Sequence, residues 1–256
     1  MATKLHIAVL SNIIFEPHFL LLTKKYFGEN TAVFPIPFGE HTEVEYQTQV
    51  TSADLIVVWL NTGTLLPGQF YSLAEQDLDD TIALCKKLYA DLTSISHVKI
   101  LWFLFEVYAA PLSVAVGHLY HDFADKLNLA LRDALGDQVS YVDVKHLIAE
   151  IGISNAYDAK SKYRWNAPYS KTLVEAAVNE IHKQYLIEKS LTKKCLVLDC
   201  DNVLWGGILC EDGIENLKLS GSGLGRVYQD FQRFVLSLYY RGSFLLYAVK
   251  MICHMY

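Results

Sequence analysis

The stretch KKCLVLDCDNVLWGG, Lys193–Gly207, places two aspartates two positions apart directly behind a run of apolar residues. The run CLVL is typical of a buried parallel strand, which predicts Asp199 at the carboxyl end of that strand, where open α/β sheets bind their ligands. Strand geometry usually breaks down at such a point, so Asp201 is predicted on the following loop, facing Asp199 across a small site. Gly206 and Gly207 then allow the chain to turn sharply or to pass close to a ligand.

Two carboxylates held close together have a limited set of uses. They can bind a hard cation, or they can divide the roles of nucleophile and acid between them. The alternative interpretation is a solvated turn at the end of a strand, because Asp and Asn are common in turns. The Asp-x-Asp pattern by itself leaves both interpretations open.

Composition and charge restrict the class of protein. The chain has 256 residues, of which 52% are hydrophobic and 20% charged, with a formal net charge of −6. The acidic balance and the lack of a Lys/Arg run disfavour nucleic-acid binding. The opening MATKLHIAVLSN lacks the apolar core of a secretory signal, and no apolar run reaches the roughly 18 residues of a membrane span. The lack of such a run argues against a membrane partner. The five cysteines have no metal-ligand spacing, which favours a reduced, cytoplasmic protein without a disulfide framework or zinc site.

Strand-like and helix-like segments alternate ahead of the two aspartates. Short segments rich in β-branched and aromatic residues predict strands at Leu5–Ser11, Thr31–Pro37, Ala53–Asn61, Val98–Glu106 and Val139–Val144. Apolar residues at helical spacing predict helices within Phe70–Leu92, Gly117–Leu135 and Lys171–Lys189. This alternation predicts an α/β fold with a doubly wound parallel sheet, and two domains over residues 1–190 and 191–256.

The motif LVLDCDNVLWGG resembles the first motif of the haloacid dehalogenase (HAD) superfamily, Asp-x-Asp-x-(Thr/Val). It is most similar to the FkbH-like subfamily, whose motif reads close to Leu-Asp-Leu-Asp-Asn-Thr-Leu-Trp-Gly-Gly. The match continues in CEDGIENLKLS (Cys210–Ser220) and FQRFVLSLYYRG (Phe231–Gly242). Upstream, YVDVKHLIAEIG and APYS resemble the end of that subfamily's SGNH-like, flavodoxin-like N-terminal domain. The resemblance implies that residues 191–256 form part of a HAD-type Rossmannoid domain. Cys200 stands where a leucine is usual.

The resemblance also implies roles for individual residues. Asp199 corresponds to the nucleophile that attacks phosphorus, and Asp201 to the general acid and base. The resemblance implies that Mg²⁺ is held by Asp199, by the backbone carbonyl of Asp201 and by the phosphoryl oxygens of the substrate. The implied substrate is 1,3-bisphosphoglycerate, a phosphorylated three-carbon compound whose glyceryl group is loaded onto an acyl carrier protein for polyketide-type biosynthesis. Asn202, Trp205 and the two glycines lie in the same motif and are predicted to position the substrate.

The segment after Gly242 departs from the subfamily. A second motif close to Leu-Ala-Ile-Cys-Ser-Lys-Asn-Asp is expected there, with a later acidic residue for the metal, but the chain reads SFLLYAVKMICHMY. With suitable codons, reading from the third base of the Tyr247 codon gives Cys-Ser-Lys-Asn-Asp, so residues 243–256 are interpreted as an out-of-frame tail. A divergent C-terminus is the alternative. Without the later motifs we expect impaired catalysis, and the alternative function is a non-catalytic carrier-protein- or substrate-binding module.

The N-terminal part contains a weaker catalytic pattern. Ser11 ends the first predicted strand, and Asp143 and His146 have the Asp-x-x-His spacing of SGNH hydrolases, which use such a trio as nucleophile, orienting acid and base. The usual Gly-Asp-Ser opening is absent. We expect instead that Ser11 and Asn12 cap the following helix and that His146 lies on a helix face. We therefore expect Ser11 and Asn12 to serve substrate or carrier-protein binding rather than hydrolysis.

The out-of-frame interpretation predicts a specific result from the gene. Sequencing from the codon of Tyr239 through several hundred bases beyond the codon of Tyr256 should reveal an inserted or deleted base near Gly242. Restoring the frame should encode Ser-Lys-Asn and a later acidic pair. An uninterrupted frame with no such motif in any phase would contradict the interpretation.

Overall fold

A computed structural model of the chain describes residues 4–15, 18–65, 75–106 and 119–248. The sequence interpretations that concern residues 70–74, 117–118 and 249–256 lie outside these ranges. The chain divides into two compact units, Met1–Lys189 and Ser190–Tyr256, which are called the N-terminal unit and the C-terminal unit below.

The N-terminal unit alternates strands and helices along most of its length. In chain order its elements are β1 (Leu5–Ser11), α1 (His18–Phe27), β2 (Thr31–Pro37), α2 (Val44–Thr51), β3 (Leu55–Trp59), α3 (Thr62–Leu65), α4 (Glu75–Ile95), β4 (Ile100–Phe103), α5 (Leu119–Leu135), β5 (Val139–Val142), α6 (Val144–Ile151), α7 (Ile153–Ala156), α8 (Ala159–Trp165) and α9 (Lys171–Glu188).

The five strands form one parallel sheet in the order β2-β1-β3-β4-β5. The chain moves outward from β1 to β2 and then crosses to the other side of β1 to form β3. This is the flavodoxin-like strand order, with its topological switch point between β1 and β3. The predicted α/β fold with a doubly wound, SGNH-like parallel sheet is confirmed.

Alternate residues of the central strands enter two separate cores. Val9, Val57 and Phe103 belong to a core shared with α1, α6 and α9, whereas Leu10 and Val58 belong to a core shared with α2, α4 and α5. Successive side chains of a strand point to opposite faces. A strand with helices on both faces must therefore be apolar at nearly every position, which explains the continuous runs seen in the sequence.

The C-terminal unit is smaller. Its elements are β6 (Cys195–Asp199), α10 (Leu209–Asp212), α11 (Gly223–Tyr240) and β7 (Phe244–Ala248), and β6 pairs in parallel with β7.

The prediction that β6 is buried was wrong. Cys195, Val197 and Asp199 are exposed, and Leu196 and Leu198 are only half-buried. Cys195 was expected to be a buried apolar residue for the same reason. Within the described residues β7 is the only strand partner of β6, so an apolar run that normally indicates a covered central strand here lies in a two-stranded ribbon.

No helix within the described residues has the length and apolar character needed to cross a membrane.

Helix α5 offers a matched test of the core. Leu127 is fully buried, whereas Leu129 on the same helix is 64% exposed. We expect Leu127→Ala to lower the free energy of unfolding by about 2–5 kcal/mol, because the truncation removes apolar burial and leaves a cavity. Leu129→Ala should change it by no more than about 0.5 kcal/mol. Urea denaturation followed by tryptophan fluorescence measures both values, and equal losses would contradict the assignment of the core.

Candidate active site

Asp199 and Asp201 lie at the carboxyl end of β6 and on the loop that follows it. Asp199 is the last residue of β6 and is exposed, and one of its carboxylate oxygens accepts a hydrogen bond from the backbone N–H of Cys200 at 2.7 Å. Asp201 is half-buried. Its Oδ1 accepts hydrogen bonds from the indole N–H of Trp205 at 3.0 Å and from the backbone N–H of Leu209 at 3.1 Å. The Asp201 carboxylate is therefore held in place by its own loop, and Asp199 remains open to solvent.

Asn202 and Gly207 close the loop that carries Asp201. Asn202 adopts a left-handed backbone conformation with φ of 56°, and its N–H donates to the carbonyl of Gly207 at 3.2 Å. The Asn202 side-chain oxygen accepts from the Gly207 N–H at 2.9 Å. Asn tolerates this conformation better than most residues because its short polar side chain can bond locally. The structure thus shows Asn202 and Trp205 bonding to the loop itself.

The two glycines are required for different physical reasons. Gly207 has φ of +111°, a region that L-amino acids with a side chain rarely adopt. A Cβ on Gly206 would lie 2.8 Å from the ring of Tyr228 and 3.0 Å from Cβ of Lys218. The backbone of Gly206 also exchanges two hydrogen bonds with Lys218. Gly206 therefore permits a close approach of two backbones, and Gly207 permits the turn.

Asp212 fixes the far side of the loop. Its Oδ2 accepts a hydrogen bond from the backbone N–H of Ile208 at 2.8 Å, just ahead of α10. Asp212 belongs to the segment Cys210–Ser220 that resembles the FkbH-like subfamily, but the sequence alone predicted no role for it.

Cys200 lies between the two aspartates in the chain and is buried. Its burial, and after that the negative charges of Asp199 and Asp201, raise the pKa of its thiol. The thiol therefore stays protonated and serves as a small apolar residue.

The donor set at this loop suits Mg²⁺. Carboxylate oxygens are its preferred protein ligands, and magnesium is commonly held by one or two carboxylates together with water and phosphate oxygens. Within the described residues Trp205 and Leu209 both donate to Oδ1 of Asp201, so Oδ2 is the oxygen that could carry a proton, and the backbone carbonyl of Asp201 is the expected ligand atom. Asp199 is exposed and also has a second oxygen. The described residues contain no cluster of three or more His, Cys, Asp or Glu side chains, so this part of the chain supplies a sparse ligand set.

The hydrolase trio of the N-terminal unit is not assembled. The Ser11 hydroxyl is buried and exchanges hydrogen bonds with the backbone of Ile13 at 3.1 Å. Asp143 caps the start of α6 by accepting from the backbone N–H of His146. The His146 ring is exposed and lies 3.3 Å from the carboxylate of Glu150. The prediction that His146 lies on a helix face is confirmed.

Ser11 and Asn12 do not cap the next helix, contrary to expectation. Helix α1 begins only at His18, and the Ser11 hydroxyl instead forms a tight turn with Ile13. The Asn12 side chain donates to the carbonyl of Asn61 at 2.9 Å and accepts from the Asn61 N–H at 2.7 Å. Asn12 therefore ties the loop after β1 to the loop after β3.

A buried polar cluster continues from Asn61 and was missed at the sequence level. Glu106 is 3% exposed, and its Oε1 accepts from the Asn61 amide at 3.0 Å and from the Tyr169 hydroxyl at 2.7 Å. Its Oε2 accepts from the Tyr157 hydroxyl at 2.5 Å. The Thr62 hydroxyl donates to the Glu106 backbone carbonyl. These residues connect the ends of β3 and β4 to the segment that leads into α9.

Burial raises the pKa of the Glu106 carboxyl above its usual range. The hydrogen bonds from Tyr157, Tyr169 and Asn61, and the positive charge of Lys162, act in the opposite direction but are smaller in effect. The hydroxyl of Tyr169 has a pKa well above that of free tyrosine, mainly because it is buried, so it remains a donor. A polar residue at the end of an apolar run was the signal that identified Asp199, and the same signal at Asn61 and Glu106 could have identified this cluster.

Comparisons with known proteins place both units among solved folds. The chain is similar to the crystal structure of the N-terminal part of the protein BF1531 from Bacteroides fragilis, which contains a phosphatase domain complexed with Mg. The TM-score is 0.76 and the identity 18%, and the match covers 97% of this chain and 69% of that one. No family model and no curated protein sequence matches the chain.

Two esterase-type structures match a smaller part of the chain. A mutant of Axe2, an acetyl-xylooligosaccharide esterase from Geobacillus, has a TM-score of 0.50 at 10% identity, covering 72% of this chain and 95% of that one. A lipase/acylhydrolase from Enterococcus faecalis has a TM-score of 0.47 at 13% identity, covering 70% and 97%. At these identities the likenesses to the BF1531 fragment and to Axe2 show the fold alone. That fold is an α/β architecture shared with an esterase and with a protein that contains a phosphatase domain.

The raised pKa of Glu106 predicts a dependence of stability on pH. A carboxyl that holds its proton more tightly in the folded state stabilises the fold fully below the pKa of an unfolded glutamate. This stabilisation is lost as the pH rises through the folded-state pKa. We expect the free energy of unfolding to fall from about pH 5 toward pH 8, and Glu106→Gln to reduce that fall. Urea denaturation at both pH values measures it.

The control for this prediction is Glu45→Gln, which neutralises an exposed carboxyl on α2. It should leave the pH dependence of unfolding as it is in the unaltered chain. If Glu106→Gln and Glu45→Gln give the same pH dependence, the buried carboxyl is not the group responsible.

Proposed function

We propose that this chain carries the nucleophile segment of a magnesium-dependent phosphoryl hydrolase or transferase of the HAD superfamily, in the FkbH-like class. The observation that carries the proposal is the placement of Asp199. Its exposed carboxylate ends a parallel strand, and the next loop holds a second carboxylate, Asp201, in a fixed position. The likeness in fold to a protein that contains a phosphatase domain supports it.

Each aspartate has a distinct part in the proposed reaction. An oxygen of Asp199 attacks phosphorus, and the bond between phosphorus and the leaving oxygen breaks as an aspartyl-phosphate forms. Asp201 gives its proton to the leaving oxygen. It then takes a proton from water, whose oxygen attacks the aspartyl-phosphate and releases phosphate and Asp199. The hydrogen bonds from Trp205 and Leu209 keep the Asp201 carboxylate oriented through both steps.

Asp199 and Asp201 are also the residues that would hold Mg²⁺, which supplies neutralising charge to the phosphoryl oxygens when bound. The proposed substrate is 1,3-bisphosphoglycerate, from whose 3-position Asp199 takes the phosphoryl group. The proposed partner is an acyl carrier protein whose thiol attacks the acyl carbon at the 1-position and takes the glyceryl group, with phosphate as the leaving group. Both rest on the resemblance of Lys194–Leu219 to the FkbH-like motifs.

A second candidate function is a non-catalytic module that binds a carrier protein or substrate. The sparse ligand set favours it, because no third acidic or histidine side chain joins the two aspartates within the described residues. The two functions differ in their dependence on Asp199. Catalysis requires this carboxylate, whereas binding of a carrier protein does not.

Phosphate release from an acyl phosphate should depend on Mg²⁺ and on both aspartates. We expect slow turnover, because a single positioning or electrostatic group is worth about 10²–10³ in rate and the described residues place only the two aspartates at this loop as acidic groups for the reaction. Asp199→Asn should abolish the remaining release, and Asp201→Asn should lower it by about 10²–10⁴. Release of inorganic phosphate from acetyl phosphate, with and without EDTA, measures these effects.

The matched control is Asp230→Asn, which removes an exposed carboxylate of α11 that pairs with Arg226 and Arg233. This variant should keep the rate of the unaltered chain. If Asp199→Asn releases phosphate as fast as Asp230→Asn, the catalytic proposal fails. Unchanged binding of an acyl carrier protein by Asp199→Asn would then favour the binding module.

A further inference from the structure

A cavity of about 310 Å³ lies at the amino edge of the sheet in the N-terminal unit, at the opposite end of the strands from Asn12 and Glu106. Its walls come from the last two turns of α4, from the loop that leads into β4, from Gln138 just ahead of β5 and from Glu188 at the end of α9. The volume is at the lower end of the range of about 300–1,000 Å³ that is typical of small-molecule sites. The cavity is therefore suited to a compound with a single ring and not to a long chain.

Two polar side chains of this lining have hydrogen-bond donors to spare. The Tyr89 hydroxyl donates to Oε1 of Gln138 at 2.5 Å, which orients the Gln138 amide, while its nitrogen donates to no atom of the described residues. That nitrogen carries two N–H groups. Ser96 is 7% exposed, and its oxygen accepts from the backbone N–H of Val98 at 3.3 Å, but no described residue accepts its O–H. Because a buried donor without an acceptor is costly, an oxygen atom of a ligand would stabilise this hydroxyl.

Hydrogen-bond acceptors lie among these donors. The Thr93 hydroxyl donates to the backbone carbonyl of Tyr89 at 2.9 Å, which leaves the Thr93 oxygen as an acceptor. Glu188 pairs with Lys99 through Oε2 at 3.5 Å, and Oε1 is its second acceptor. The neutral imidazole of His97, which also lines the cavity, adds one donor and one acceptor. A ligand hydroxyl both donates and accepts, so a compound with several hydroxyls matches this mixture better than a carbonyl or an amine does.

The charges of the lining disfavour an ionised ligand. The ammonium group of Lys99 is already paired with the Glu188 carboxylate. Helices α4 and α9 both end at this cavity, and the carbonyl groups at the end of a helix carry partial negative charge. An anion would meet these carbonyls and Glu188, and a cation would compete with Lys99. Either ion would lose hydration without gaining an unpaired opposite charge, which is costly.

We infer that this cavity is a binding site for an uncharged polyhydroxylated compound of about the size of one sugar ring. Hydroxyl oxygens of the ligand accept from the Gln138 amide and from Ser96, and a hydroxyl donates to Oε1 of Glu188. The inference concerns the amino edge of the sheet in the N-terminal unit. It depends neither on the phosphoryl chemistry at Asp199 nor on the loops at the carboxyl edge.

The test compares matched pairs of sugars. Glucose, galactose and mannose, and the uronate that corresponds to each, are titrated into the isotope-labelled full chain at pH 8, where a uronate is ionised and an ordinary imidazole is neutral. Binding is followed by the NMR signals of the backbone amides of Ser96–Lys99. At least one neutral sugar should bind at millimolar concentration, and its uronate should bind at least about threefold more weakly, because no unpaired cation offsets the lost hydration of the carboxylate. A smaller difference, or no binding of any neutral sugar, would overturn the inference.

Two variants locate the bound sugar. Gln138→Leu removes both amide donors at an exposed position and should weaken binding at least about fivefold, whereas Gln47→Leu, at an exposed glutamine outside the lining, should leave it unchanged. Thr93→Trp fills the cavity from α4 and should abolish binding, and Thr48→Trp, at an exposed threonine of α2, is its matched control. An unchanged urea midpoint establishes that each variant folds, and Gln138→Leu decides alone if Thr93→Trp does not. Binding that is unaffected by Gln138→Leu would place the sugar elsewhere and refute the site.

Discussion

A parallel strand of an α/β unit gives way to a polar loop at its carboxyl end, and both polar clusters of the protein lie at such ends. The backbone and side chains at such an end need hydrogen-bond partners, since buried polar groups without them are costly. In the N-terminal unit Asn12, Asn61 and Glu106 follow β1, β3 and β4 and bond to one another or to neighbouring loops. In the C-terminal unit Asp199 and Asp201 occupy the corresponding place after β6. Both clusters thus lie at the carboxyl ends of parallel strands, but the strands of the N-terminal unit are covered on both faces, whereas β6 lies in a two-stranded ribbon.

The two clusters differ in what remains available for chemistry. Both carboxylate oxygens of Glu106 accept hydrogen bonds from neutral donors, and the residue is buried. Such a group fixes the relative positions of the segments it joins. Among the described residues Asp199 accepts one hydrogen bond, from the N–H of its neighbour Cys200, and its side chain is exposed. Asp199 is therefore the carboxylate that can meet a substrate, and the bonds around Asp201 and Gly207 hold the loop beside it.

Much of the fold could be predicted from the residues themselves. The bounds of β1 and β2 follow from their β-branched runs, but β3 and β4 end earlier than the apolar pattern suggests, at Trp59 and Phe103. Asn61 and Glu106 leave the strands because they form the polar cluster. The exposure of β6 could not be predicted, because composition shows that a strand is apolar but not how many strands pair with it or which helices pack on its faces. The Asp143–His146 spacing is equally compatible with a helix cap, which is what the structure forms.

The central claim is that Asp199 is the residue that accepts the phosphoryl group. The most direct test is to incubate the chain with acetyl phosphate and Mg²⁺, reduce it with borohydride to mark any aspartyl-phosphate, and map the mark by peptide mass spectrometry. The account predicts reduction at Asp199, dependent on Mg²⁺, with Asp201 unmarked. A mark at Asp201, a mark independent of Mg²⁺, or no mark on the peptide that contains both aspartates would contradict it.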